Sequence, residues 1–148
     1  MVDTIERKII TDTTYQGIRW FCYNTDYNES GVNLSDGYWM MYLTQNNVFE
    51  KYLQFKYPCV LNDTYKCYIP YYDEMFDFTV MQTSIVVSTS AGTFYCYKYE
   101  ALSKTYKIDF YLTPNKGIIK EVVYKIKPNT ETSQKYQSVE LERCTIIK

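Results

Sequence analysis

The run "YYDEMFDF" gathers Asp73, Glu74 and Asp77 within five residues. Paired carboxylates can divide the acid and base roles of glycoside hydrolysis, and clustered oxygens can hold calcium. Here Asp73 and Glu74 are neighbours in an expected loop, and Asp77 opens an expected strand. The spacing is not the D-x-[DN]-x-[DN]-G of an EF-hand loop. A solvated loop is the plainer reading. Histidine is absent from the chain, which removes the Ser-His-Asp triad, the Cys-His dyad and every histidine metal site. No G-x-G-x-x-G or G-x-x-x-x-G-K-[ST] occurs, so no nucleotide fingerprint is present. The five cysteines, Cys22, Cys59, Cys67, Cys96 and Cys144, show no C-x-x-C and no zinc-ribbon spacing. Cys59 and Cys67 flank "VLNDTYK", where a cross-strand disulfide depends on register; buried reduced thiols are the alternative. The expectation is a protein without catalytic residues, cofactor or metal.

Aromatic residues supply the other candidate chemistry. They make up 18% of the chain, and 18 of them are tyrosine. Tyrosine buries a ring, keeps a hydroxyl that seeks a partner or water, and favours strands. In "TSAGTFYCYKYE", Thr89 to Glu100, alternation puts Tyr95, Tyr97 and Tyr99 on one face and Phe94, Cys96 and Lys98 on the other. These tyrosines and Trp39 are the candidate ligand- or partner-binding residues.

Short strands separated by turn signals must position them. Strands are expected at about Ile18 to Tyr23, in "GYWMMYLT", on both sides of the Asn62-Asp63 turn, in "FDFTVMQTSIVVST", "FYCYKYEA", "KTYKIDFYLT" and "IIKEVVYKIK", and in a closing "SVELERCTII". "NTDYNESGVNLSDG" and "PNTETSQKYQ" read as loops. "GYWMMYLT" is apolar on both faces, which predicts a strand covered on both sides. "NNVFEKYLQF" fits helical or extended spacing. The fold class is therefore all-β: an antiparallel, strongly curved sheet of about eight to ten strands forming an open barrel or sandwich. Residues 1–148 are read as one domain.

Net charge is −1, divided as −5 over residues 1–103 and +4 over residues 104–148. The basic residues are scattered singly among apolar ones, so no nucleic-acid footprint is expected. No stretch approaches the roughly 18 apolar residues of a membrane span. The start "MVDTIERKII" carries no signal-peptide pattern, which fits either a natural start or one that follows a removed leader. Asn28, Asn33 and Asn62 each open a glycosylation sequon, a pattern of exposed loops.

Three segments and the closing strand resemble a family pattern. "LQFKYPCVLNDTY" resembles a stretch running into a "vGdsW"-type turn, "VVSTSAGTFYCYKYE" resembles "vpaGtFdcykie", and "FYLTPNKGIIKEVVY" resembles "wylapgvGlvk". The closing "SVELERCTI" resembles "yeLksy". Together, over about residues 53–147, they are similar to a family of small β-rich envelope proteins, commonly lipoproteins, abundant in Bacteroidetes. Asn62, Ser90 and Phe110 stand where that pattern has Gly, Pro and Trp. The resemblance implies an antiparallel sheet curled into an open barrel or sandwich, exported to the envelope, with no catalytic residue to carry over. The shared positions have structural meanings of their own. Gly92 and Gly117 suit turns needing positive φ, Phe94 is an inward anchor after its turn, and Pro114 ends a strand.

The expected function is binding of an apolar, glycan or protein partner by a non-catalytic domain. The expected location is periplasmic, cell-surface or secreted, with a lipid anchor possible in a longer precursor. A carrier of apolar ligands with an internal cavity is an alternative, and a hydrolase using the loop carboxylates a remoter one.

Overall fold

A computed structural model describes residues 9–23, 29–90, 92–114, 116–126 and 133–140. It is all-β, with eleven strands among the described residues: β1 (Ile9–Tyr15), β2 (Ile18–Tyr23), β3 (Ser30–Leu34), β4 (Gly37–Leu43), β5 (Phe49–Lys56), β6 (Thr64–Ile69), β7 (Glu74–Thr89), β8 (Gly92–Leu102), β9 (Tyr106–Thr113), β10 (Gly117–Ile126) and β11 (Ser133–Glu140). They form two antiparallel sheets in chain order, β1 to β5 and β6 to β11. The expected count of about eight to ten is therefore low. Two additions came from segments read as something else. β1 precedes the expected first strand across a Gln16-Gly17 turn, and β3 lies inside the expected polar loop. At the other end, β11 begins at Ser133, inside the expected loop "PNTETSQKYQ", and runs on to Glu140 in the expected closing strand; the later part of "SVELERCTII" lies outside the described residues.

The ambiguous segment is strand β5, and it carries an irregularity. β4 and β5 pair Tyr38 with Phe55 and Trp39 with Leu53, so the register slips at Gln54. This extra residue is a β-bulge. It puts Tyr52 and Phe55, three positions apart, against the same core. The helical spacing of Val48, Phe49, Tyr52 and Leu53 precedes it and comes from adjacent apolar residues, which a strand sends to opposite faces. Gly37 makes the close approach there possible: a Cβ on it would lie 2.1 Å from the Phe55 carbonyl oxygen, and its φ is +144°.

The five-stranded sheet is apolar on both faces. One face carries Phe21, Tyr38, Met40 and Phe55, and the other carries Trp20, Val32 and Met41; all are buried. The expectation for "GYWMMYLT" holds, with Tyr38 and Met40 buried on one side and Met41 on the other. The sheet curls so far that Tyr15 on β1 and Phe49 on β5, its two edge strands, touch with ring centroids 5.3 Å apart.

The six-stranded sheet packs on the first face. Alternation sends Phe76, Phe78 and Val80 of β7 inward, with Tyr99 and Ala101 of β8 and Ile108, Phe110 and Leu112 of β9. Phe55 sits at the centre. Its ring centroid lies 5.0 Å from Phe110, 5.2 Å from Tyr99, 6.0 Å from Phe78 and 6.1 Å from Tyr38. Tilted and edge-to-face pairs of this kind add about 0.5–1.5 kcal/mol each beyond area burial.

The β7–β8 hairpin outruns its neighbours. β6 pairs with β7 only up to Thr79, and β8 pairs with β9 only from Tyr97 onward. From there to the turn the two arms pair with each other, from Ile85↔Cys96 to Thr89↔Gly92. Gly92 takes φ +133° and Gly117 +110°, as their turn roles require, and Pro114 follows directly on the end of β9. A two-stranded ribbon alone is marginal in water, so this one needs packing on at least one face.

Candidate functional site

That packing lies on the face opposite the main core. Phe94, Cys96 and Val87 bury with Ile119, and Ile85 and Tyr111 pack against them. Ile119 reaches this side because β10 slips register between Ile118 and Lys120, leaving Ile118 against the main core. Phe94 is thus a buried anchor, but not of the core between the sheets; its place in the alternation opposite Tyr99 sends it to the second cluster. The Thr113 hydroxyl fixes the junction, donating to the Tyr95 carbonyl at 3.0 Å and lying 3.4 Å from Cys96 Sγ.

The tyrosine stripe on the other face has three different fates. Tyr99 is fully buried, and its hydroxyl donates to the Lys56 carbonyl at 2.6 Å and lies 3.7 Å from Cys59 Sγ. Burial, before any nearby group, pushes its pKa far above the usual phenol range. Tyr97 is half-buried and stacks on Tyr57, centroids 6.2 Å apart and planes 10° apart. The Tyr57 hydroxyl in turn donates to Asn33 Oδ1. Tyr95 is 72% exposed, and its cross-strand neighbour Val86 is 56% exposed. The stripe therefore starts in the core, crosses the margin of the five-stranded sheet and emerges on the projecting hairpin.

Trp39 does not join it. Its register partners are Val32 and Leu53, on the far face of the five-stranded sheet. There its indole N–H donates to Asp36 Oδ1 at 2.7 Å, and the Lys51 ammonium lies 6.0 Å from its ring centroid. The sequence grouped Trp39 with Tyr95, Tyr97 and Tyr99; the structure puts a sheet between them. Val86 was passed over because a valine in a β-branched strand reads as core. Its exposure depends on where β6 and β9 stop.

The acidic run does not converge. Asp73 accepts from the Tyr68 hydroxyl. Glu74 accepts from Ser103 Oγ at 2.6 Å and from Thr105 Oγ1. Asp77 pairs with Lys66 Nζ at 2.7 Å on the exposed surface. Glu74 and Asp77, three residues apart on one strand, point to opposite faces. Among the described residues no group of three His, Cys, Asp or Glu side chains is placed to hold a metal, and no helix is long and apolar enough to cross a membrane.

Cys22, Cys59, Cys67 and Cys96 are free thiols, so the disulfide considered between Cys59 and Cys67 is not formed. Burial raises the Cys67 thiol to about 12 and also raises Cys59 and Cys96. Such thiols are poor nucleophiles at neutral pH. Of the sequon asparagines, Asn33 is held by Tyr57, Asn62 sits exposed in a turn at φ +70°, and Asn28 lies outside the described residues. No protein-family model, no curated protein and no solved structure matches this chain.

Proposed function

We propose that this is a non-catalytic binding domain whose binding element is the projecting β7–β8 hairpin. One observation carries the reading. Tyr95 and Val86, paired across the hairpin, are bare on one face, while the opposite face is packed on Ile119 and Tyr111. The hairpin is thus held rigid from one side and free on the other. An exposed aromatic-aliphatic patch on a supported element is the usual form of an interaction site. The carboxylates of the acidic run already have partners within the fold, which favours binding over hydrolysis. The space between the sheets is filled ring against ring around Phe55, so the reading uses an outer surface rather than an enclosed cavity. The likeness of "AGTF" and its flanks to envelope proteins supports action in the cell envelope or outside the cell.

A photoreactive phenylalanine analogue at position 95, expressed in the host, tests the reading. It is expected to form a discrete adduct that the same group at exposed Lys66 does not form. No adduct above the position-66 background would overturn it.

A further inference from the structure

We infer that the outer edge of β7 pairs with the same edge of a second copy of this chain, about a two-fold axis at Val86. This rests on the β7–β8 hairpin being the binding element and names its partner. The first observation is a free ladder. β6 accompanies β7 only to Thr79. One residue further, the Asn62 N–H donates to the Val80 carbonyl and the Val80 N–H to the Asp63 carbonyl, both at 2.9 Å. From Met81 to Thr89 no described strand lies beside β7 on that side. Tyr95 turns its carbonyl to Thr113 on β9, so its backbone points away from β7. Residues opposite each other in an antiparallel ladder either both bond to each other or both point outward. Val86, opposite Tyr95, and Ser88, opposite Thr93, therefore direct their N–H and C=O groups to the free edge.

The second observation is the order of residues on that edge. Thr83 to Thr89 reads "TSIVVST". About Val86 the run has the same character in both directions: Thr83 matches Thr89, Ser84 matches Ser88, and Ile85 matches Val87. Antiparallel pairing about a two-fold axis at Val86 sets these same residues opposite each other. Hydroxyl then meets hydroxyl and aliphatic meets aliphatic, which are favourable cross-strand pairs. Val86 meets its own copy, with Cβ atoms about 4.5–5.5 Å apart, and no charge stands there to repel. Residues 78 to 97 contain no charged side chain at all, whereas free edges are normally guarded by lysine or proline. The register shifts of β7 both fall before Ile85, and the ladder from Ile85 to Thr89 is regular.

That symmetry decides the partner. A foreign strand needs free donors and acceptors, but not a segment that reads alike in both directions. The free length fits as well. With Val86 on the axis, Thr89 of the second copy lies opposite Thr83. Met81 and Gln82 then separate the end of that strand from the bonds at Val80. On the bare face the pairing sets Tyr95, Val86 and the same two residues of the second copy in one row across the joined hairpins. Val86 is 56% exposed in the single chain, and the row covers it. Both copies use the same edge, so the pairing closes at two.

Sedimentation equilibrium of the whole chain is the test, run between about 1 and 200 µM, where a small interface associates. A monomer–dimer equilibrium is expected. Val86→Lys sets two ammoniums against each other on the axis and is expected to weaken the dimer by more than about tenfold. Ser84 and Ser88 are exposed, so charges placed there read the register without entering the core. One chain carries Ser84→Lys and Ser88→Lys, the other Ser84→Glu and Ser88→Glu. Each alone is expected to stay monomeric, and their equimolar mixture to dimerise. A monomer throughout the range overturns the inference. So does a dimer that Val86→Lys leaves intact, or a mixture of the charged chains that stays monomeric. If the chain is monomeric while position 95 still crosslinks in the host, self-pairing falls and the hairpin remains the binding element. If both fail, both fall.

Discussion

Truncating the three tyrosines of β8 to alanine, one at a time, should give three very different stabilities. Tyr99 is completely buried, touches Phe55 at 5.2 Å between centroids and donates a hydrogen bond at 2.6 Å to Lys56. Removing a buried aromatic costs about 3–5 kcal/mol, and the orphaned Lys56 carbonyl places Tyr99→Ala toward the upper end. Tyr97 is half-buried against Tyr57, so about half the area is lost and Tyr97→Ala should cost about 1–2 kcal/mol. Tyr95 is 72% exposed, and Tyr95→Ala should fall within about 0.5 kcal/mol of the parent. For a chain of this size each kcal/mol moves Tm by roughly 2–4 °C. The expected falls are thus roughly 8–16 °C for Tyr99, a few degrees for Tyr97 and near zero for Tyr95. Thermal unfolding followed by circular dichroism reads all three. Tyr99→Phe keeps the ring and should cost about 1–2 kcal/mol, isolating the hydroxyl. If Tyr95→Ala destabilised as much as Tyr99→Ala, the hairpin would not be bare on that face, and the binding reading would lose its ground.

Gly37→Ala should destabilise by about 2 kcal/mol or more, because its Cβ would meet the Phe55 carbonyl at 2.1 Å at a φ of +144°; urea midpoints check this. Lys66→Ala, which breaks an ion pair exposed at both ends, should change stability by under about 1 kcal/mol in the same assay. The Cys67 thiol, raised by burial from 9.0 to about 12, binds its proton more tightly folded than unfolded. Its share of stability is present below 9.0 and lost as pH rises toward about 12. Urea midpoints measured across that window should fall, and less steeply in Cys67→Ala.

Alternation made much of this legible. It put Tyr95, Tyr97 and Tyr99 on one face, separated Phe94 and Cys96 from them, and marked β4 as covered on both sides. It could not place the tyrosines along a gradient, because their exposure depends on how far β6, β9 and the other sheet reach. Those are long-range facts. β5 was obscured by a local one: the adjacent apolar pairs Val48-Phe49 and Tyr52-Leu53 mask period two. β3 was obscured by composition: Val32 and Leu34 lie among Asn, Ser and Asp, whose turn preferences dominate a short window. Trp39 was misgrouped for want of a sheet partner. Nothing local says that Val32 and Leu53, rather than the β8 tyrosines, share its face.

Both tryptophans of the chain, Trp20 and Trp39, lie on the curled side of the five-stranded sheet. Trp20 is 1% exposed, and its indole N–H has no hydrogen-bond partner among the described residues. The six-stranded sheet contains no tryptophan at all. Intrinsic emission is therefore an optical gauge of the curl alone: a blue-shifted Trp20 signal should redden when β1 and β5 part. If the two sheets come apart in separate steps, fluorescence will follow one and backbone dichroism both. Non-coincident curves would give the order in which the halves let go.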